Sequence, residues 1–244
     1  MSVERVAVIG GTGDEGFGLA VRWGTAGIEV IIGSRDHDRA RAAAARAVEA
    51  APRANVRGLL NQEAAAASDV VVVAVPFAGQ AAIYKAIRDH VRDRAVIVDC
   101  TVPLAAEVGG RATHVLGVWQ GSAAQQAAGL LRAGGRTVKV RLCAAFHSLP
   151  AAALNDFGRP MEGDVLACGG DHEAKSVVGE LIRAIPDLRF IDAGPLDTAR
   201  IVEPLTALLV GLNRRYQTDR AGIKITGLPA ARSDPGSERA EGMA

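Results

Sequence analysis

Near its start the chain reads Val3-Glu4-Arg5-Val6-Ala7-Val8-Ile9-Gly10, then Gly11-Thr12-Gly13-Asp14-Glu15-Gly16-Phe17-Gly18. Residues 3–10 are rich in β-branched side chains and nearly continuous in apolar character, which predicts a parallel strand buried on both faces. Gly11, Gly13 and Gly16 complete a G-x-G-x-x-G pattern. A helix of about three turns is expected from Gly16, with Leu19, Ala20, Trp23 and Ala26 on its inner side and Gly27 as its stop. A lone glycine pattern is a weak signal. Placed between a buried strand and a helix, it is where backbone N–H groups of a helix N-terminus receive a pyrophosphate. In that reading Gly11 permits the tight turn, Gly13 the approach of the phosphates and Gly16 the packing of helix on strand. The bland alternative is a glycine turn with no ligand. Asp14 and Glu15 add negative charge to an anion loop, and their side chains are expected to turn to solvent or to a ribose hydroxyl.

Working outward, Ile28–Ile32 reads as a second buried strand and Asp36–Ala50 as an alanine- and arginine-rich helix ended by Pro52. A strand at Val56–Leu60, the alanine run Glu63–Ala67, and the very apolar strand Asp69–Val75 broken by Pro76 follow. A helix over Gly79–Asp89 and a strand over Ala95–Asp99 complete a β-α-β-α alternation with short connections. That is the pattern of an α/β, doubly wound parallel sheet, a Rossmann domain. Residues 103–122 read as loop, Ser122–Arg132 as helix and Thr137–Leu142 as strand. The character then changes. Residues 146–160 read as a loop with one helical turn, Asp164–Cys168 as a strand, Asp171–Ile185 as an amphipathic helix and Leu188–Asp192 as a strand. Asp197–Gln217 reads as a long helix interrupted by Pro204, and residues 230–244 as a disordered tail. The expected organisation is a nucleotide-binding domain over 1–144, a small C-terminal α/β part over 145–229, and the tail.

The tip of the second strand selects the nucleotide. An enzyme using NAD has Asp or Glu there, about 20 residues past the glycines, to accept the ribose 2′-hydroxyl. This chain has Gly33-Ser34-Arg35, with Arg39 one turn on. A hydroxyl and two guanidinium groups suit a 2′-phosphate, so Ser34, Arg35 and Arg39 point to NADP. Thr12, Val75 and Pro76, at the ends of their strands, join the glycine loop as further nucleotide-binding candidates.

Composition narrows the field. Lys and Arg number 28 against 27 Asp and Glu, so no field of one sign points to nucleic acid or to a membrane surface. No apolar run reaches the ~18 residues of a membrane span. The first strand begins too near Met1 for a signal peptide, so a cytoplasmic protein is expected. Cys100, Cys143 and Cys168 form no C-x-x-C pair, so neither a metal site nor a redox dithiol is expected; buried apolar roles suit them.

Three later segments complete a pattern. They are Ala145-Phe146-His147-Ser148-Leu149-Pro150-Ala151, then Asp192-Ala193-Gly194-Pro195-Leu196, and the stretch from Glu203-Pro204-Leu205-Thr206 to Gly222-Ile223-Lys224-Ile225. In order and spacing, together with the glycine loop and the Gly33-Ser34-Arg35 strand tip, they resemble the F420-dependent NADP reductases over about Arg5 to Leu228. That resemblance implies a homodimer that moves a hydride between nicotinamide C4 of NADP(H) and C5 of the deazaflavin coenzyme F420. It also implies NADP contacts at Thr12, Gly13, Asp14, Glu15, Ser34, Arg35, Arg39 and Ala151. The deazaflavin is implied to lie by His147, Ser148, Leu149, Thr206, Ala221 and Gly222. Two positions depart from the family's pattern: Pro204 stands where a small hydroxyl residue is expected, and Ala221 where a larger apolar one is.

No general acid or base is strictly required when two bound heterocycles exchange a hydride. His147 is a candidate to hydrogen-bond the deazaflavin edge, or alternatively to cap a loop backbone. The other histidines, His37, His90, His114 and His172, read as surface. Arg214, Arg215, Arg220 and Lys224 could receive the anionic tail of the deazaflavin or form a solvated face. Two other functions are compatible with a Rossmann domain. An NADP-dependent imine, ketone or hydroxy-acid reductase needs a proton donor beside the nicotinamide, for which only His147 and Asp99 are placed after strands, since Tyr84 and Tyr216 fall within helices. A non-catalytic NADP(H)-binding redox sensor would lack an ordered second pocket.

Overall fold

The computed structural model describes residues 3–133 and 141–228. In chain order the elements are β1 (Arg5–Ile9), α1 (Asp14–Thr25), β2 (Glu29–Ser34), α2 (His37–Ala50), β3 (Val56–Leu60), α3 (Asn61–Ala67), β4 (Val70–Val73), α4 (Phe77–Ile87) and β5 (Val96–Asp99). Then come α5 (Ala123–Arg132), β6 (Arg141–Ala144), α6 (Ala151–Leu154), β7 (Gly163–Gly169), α7 (His172–Arg183), β8 (Leu188–Asp192), α8 (Ala199–Val202) and α9 (Leu205–Tyr216). They build one eight-stranded sheet in the order β3-β2-β1-β4-β5-β6-β7-β8. The first six strands in that order pair in parallel, so the chain crosses from one half of the sheet to the other between β1 and β4. Ligands of such sheets bind at that switch point, beyond the carboxyl ends of the strands.

The period-2 geometry of a strand explains why these runs are apolar throughout. Val6 and Val8 of β1 pack with Val30, Ile32, Leu19 and Trp23 on one face. Ala7 and Ile9 pack on the other with Ile31, Val71, Val73, Ile83 and Tyr84. Each face is covered by helices, so alternate residues are buried on opposite sides.

The sheet departs from parallel pairing at its far edge, where the small C-terminal part joins it. β7 runs antiparallel to β6, and only Cys143↔Gly169 and Ala144↔Cys168 pair. The reason lies in the connection. Residues 145–162, with one short helix, never cross the sheet, so the chain leaves β6 and enters β7 at the same end. The remainder of β7 pairs in parallel with β8. His147 is thereby kept at the carboxyl edge of the sheet.

Smaller differences have local causes. α1 begins at Asp14, two residues before Gly16, because Gly13 in extended conformation serves as its N-cap. Residues 103–122 are not featureless: a 3-10 turn over Ala105–Val108 and a bridge between Leu104 and Val115 order them. Pro204, lacking an N–H, separates α8 from α9. The first residues of the strand expected over Thr137–Leu142, and the expected tail over 230–244, lie outside the described residues. Among the described residues no helix is long and apolar enough to cross a membrane.

Candidate active site

Two cavities open at the switch point, and they share Gly13, Ala74, Val75 and Pro76. The larger, about 450 Å³, runs over the β2 tip and is lined by Gly10, Thr12, Gly13, Gly33, Ser34, Arg35, Arg39, Asn61 and Gln62, with Gly79, Ala82, Ile83 and Ala86 from α4. That volume falls in the range of small-molecule sites. The smaller, about 260 Å³, holds Asp14, Glu15, Cys100, Val102, Leu104, Glu107, His147 and Thr206. The shared residues form a saddle between them.

The glycines divide their labour in a different way from the sequence expectation. The left-handed turn belongs to Gly10, at φ +90°, where a Cβ would lie 2.2 Å from the Ala74 carbonyl oxygen. Gly11 instead clears the side chain of Ile32. At Gly16 a Cβ would stand 2.7 Å from the Gly10 oxygen, so its absence lets α1 seat against the strand end. At Gly13 a Cβ would meet only the Gly10 oxygen, at 3.5 Å, so the other side stays open for a phosphate. No side chain caps the N-terminus of α1, which leaves its first-turn N–H groups for a ligand.

The β2 tip is arranged for an anion. Ser34 Oγ accepts the Asp36 N–H at 3.2 Å, which leaves the hydroxyl proton free to donate. Asp36 is the acid nearest the tip, and its Oδ1 accepts the Arg39 N–H at 2.9 Å as the N-cap of α2. Arg35 and Arg39 are exposed, and no ion pair holds either guanidinium among the described residues. These residues fit a 2′-phosphorylated dinucleotide: a hydroxyl and two free guanidinium groups line the cleft, and the nearby carboxylate is occupied.

In the smaller cavity, His147 is buried and its Nε2 has no hydrogen-bond partner. Burial pushes the imidazole down to about 4, so it is neutral. Its ring does not cap the loop; its backbone carbonyl accepts the Thr206 hydroxyl at 2.8 Å, which ties α9 to the β6–β7 loop. Of the two expectations for Glu15, solvent or a ribose hydroxyl, the first is not borne out: the residue is half-buried and its Oε1 is sealed and unpartnered. Asp99, offered above as a proton donor, does not line the cavity. It is fully buried and accepts Gln80 Nε2 at 3.0 Å, Tyr84 OH at 2.6 Å and the Thr101 N–H at 2.9 Å, locking α4 to the end of β5. Tyr216 is exposed. Glu203, buried beside Pro204, accepts the N–H groups of Ala123 and Ala124 at 2.8 and 3.0 Å, so it stabilises the start of α5.

The expected residues separate into groups. Thr12, Gly13, Ser34, Arg35, Arg39, Val75 and Pro76 line the larger cleft, and Asp14, Glu15, His147 and Thr206 the smaller. Gly11, Gly16, Ser148, Ala151 and Ala221 line neither. Leu149 and Gly222 line a third cavity of about 140 Å³ with Met161, Arg220 and Ile223. Of the four cations proposed for an anionic tail, Arg220 pairs with Asp156 and Lys224 with Glu162, while Arg214 and Arg215 are exposed. Asn61 and Gln62 went unnoticed in the sequence. They follow β3 directly, and the residue after each strand of a parallel sheet faces the ligand edge, which was the available signal.

A sheet of this topology, a glycine-lined helix N-terminus and an acid-free β2 tip define a dinucleotide-binding oxidoreductase of the Rossmann class. Residues 5–103 match the family model described as NADP oxidoreductase, coenzyme F420-dependent. The chain is 45% identical over 229 residues to an F420-dependent NADP reductase of Methanothermobacter thermautotrophicus, covering 93% of this chain and 97% of that one. It is 36% identical over 228 residues to the enzyme of the same name from Methanocaldococcus jannaschii, covering 92% and 99%. A crystal structure of a candidate F420-dependent NADP reductase from Arthrobacter sp. FB24 superposes with a TM-score of 0.75 at 25% identity, covering 90% and 98%. The chain belongs to the F420-dependent NADP reductase family. A 3-hydroxyisobutyrate dehydrogenase of Mycobacterium tuberculosis, at 15% identity and a TM-score of 0.58, shares the fold.

Proposed function

We propose that the protein transfers a hydride between NADP(H) and the deazaflavin coenzyme F420. The observation that carries this reading is the pair of cavities meeting at Gly13, Ala74, Val75 and Pro76. A dinucleotide with its 2′-phosphate at Ser34, Arg35 and Arg39 and its pyrophosphate at Gly13 reaches across that saddle, so its nicotinamide enters the smaller cavity. The deazaflavin takes the remaining space beside His147 and Thr206. Residues 1–144 then hold the nucleotide and 145–229 contribute the deazaflavin side. The chemistry resides in the two heterocycles, and the protein supplies distance and alignment, with reacting atoms about 3–3.5 Å apart. No Lys or Tyr lines the smaller cavity among the described residues, which disfavours imine or carbonyl reduction through either donor.

Anaerobic mixing with NADPH and oxidised F420 is expected to bleach the deazaflavin absorbance, with NADH far slower. Binding of NADPH without bleaching would sink the F420 reading and favour an imine or carbonyl substrate.

We infer that the active form is a homodimer in the cytoplasm. The three cysteines are free and buried, which suits a reducing compartment. Trp119 is 96% exposed, and Ile201, Leu208 and Tyr216 on α8 and α9 are exposed as well. Exposed apolar side chains of this kind are what an association face uses. Trp119→Arg is expected to shift sedimentation from dimer toward monomer; a wild type that sediments as a monomer at micromolar concentration would refute the assembly.

A further inference from the structure

We propose that Glu15 acts as an uncharged carboxylic acid in the smaller cavity, where it hydrogen-bonds the carboxamide edge of the nicotinamide, and that binding of the anionic dinucleotide requires its proton. This rests on the NADP reading above and adds to it a residue that positions the ring and a proton linked to binding.

Two residues that line one cavity each carry an orphaned polar atom. Glu15 Oε1 and His147 Nε2 are each sealed from solvent without a hydrogen-bond partner, and both residues line the same space. A buried polar atom left in this way is costly unless a ligand answers it. A primary amide presents an acceptor and two donors on one edge, so it satisfies both the O–H and the carbonyl oxygen of a carboxylic acid.

The charges around Glu15 fix its protonation. Facing it are Asp14 from its own turn, Asp99 and Cys100 from the end of β5, Glu107 from the 3-10 turn and the neutral His147. No cation lines the cavity among the described residues. Burial, reinforced by the Asp99 charge, raises the Glu15 carboxyl to about 8. A diphosphate arriving at the N-terminus of α1 adds negative charge beside the first turn that carries Glu15 and favours the protonated form further. Below the free-protein value Glu15 already holds its proton and binding is insensitive to pH; above it, each binding event must recruit one. Two neighbouring groups titrate on either side of it. Burial lifts the Cys100 thiol well above its usual range, and Glu203 lies lower, at about 7. The nucleotide's 2′-phosphate has its second ionisation near pH ~6.

The test is calorimetric titration of the full chain with NADP⁺ from pH 7 to 9.5, in buffers of different ionisation heat. The wild type is expected to hold level affinity to about pH 7.5, then lose up to about tenfold per pH unit, taking up about one proton per site at pH 9. Glu15→Gln, neutral at every pH, is expected to abolish both the slope and the uptake. Level wild-type affinity without proton uptake overturns the role of Glu15 alone, and does so even where the variant fails to fold. A Gln variant that keeps the wild-type slope overturns it as well. Absence of NADP⁺ binding at pH 7 overturns the dinucleotide reading and this inference with it.

Discussion

Arg35→Ala is expected to raise the KM and Kd for NADPH by about tenfold to a hundredfold while leaving those for NADH nearly unchanged. A charge-assisted hydrogen bond contributes about 1.5–3 kcal/mol, which brackets that range. The selectivity follows from the layout of the β2 tip. Ser34 closes the strand with its hydroxyl bonded to the Asp36 N–H, and the Asp36 carboxylate is held at the start of α2, so no acid is presented to a ribose diol. The only charged groups of the cleft at that end are Arg35 and Arg39, and neither is neutralised by a protein carboxylate among the described residues. NADH has no 2′-phosphate and therefore nothing for them to grip. Arg39→Ala should act in the same direction, and the double variant should lose less than the product of the two, because both guanidinium groups serve one phosphate. Steady-state kinetics and equilibrium binding with both nucleotides decide the matter. Equal loss for NADPH and NADH would move the adenosine phosphate elsewhere in the cleft.

Much of this was legible in the residues, for reasons that differ by element. β-branched runs, ended by glycine at β1 and β2 and broken by Pro76 after β4, gave these strands because strands buried on both faces tolerate little else. Ser34 and Arg35 were legible because an absent carboxylate is as readable as a present one. The antiparallel turn at β7 was not legible: Gly163–Gly169 is buried along its whole length as a parallel strand is, and direction depends on which end of β6 the 145–162 segment stays at. The left-handed glycine was assigned one residue late, because G-x-G-x-x-G counts from Gly11 while the sterically forbidden contact is made by Gly10 against the Ala74 carbonyl. Glu15 was misread for a general reason. A charged residue in sequence implies solvent, and only the packing of β5 and the β6–β7 loop around α1 leaves this one half-buried with its Oε1 sealed. The location of His147 beside Thr206 required the return of α9, 59 residues later, to the same edge.

Trp23→Ala is expected to destabilise the fold by about 3–5 kcal/mol and to damage the deazaflavin side of the site more than the nucleotide side. Trp23 is fully buried in α1, the helix whose N-terminus forms the phosphate loop. Its indole Nε1 donates to the Leu181 carbonyl of α7 at 2.8 Å, so truncation also strips a buried acceptor. Its ring meets Phe146 edge-to-face, with centroids 5.5 Å apart and planes at 77°. Phe146 has φ +72°, a left-handed conformation that a bulky side chain resists at about 1–3 kcal/mol, and it is the residue immediately before His147. The packing of Trp23 on Phe146 therefore holds that backbone in a state it would otherwise leave. Opening the space lets Phe146 relax toward negative φ and swings the His147 imidazole away from the cavity. The expected record is a Tm lowered by roughly 6–20 °C, at about 2–4 °C per kcal/mol for a chain of this size. Alongside it, the KM for F420 should rise several times more than the KM for NADPH. Trp23→Phe keeps most of the ring but loses the indole donor, so it should cost only about 1–2 kcal/mol and hold the F420 KM near the wild type. A large loss of Tm with both KM values unmoved would show that Phe146 keeps its conformation unaided. Trp23 would then be a core residue of α1 without influence on His147.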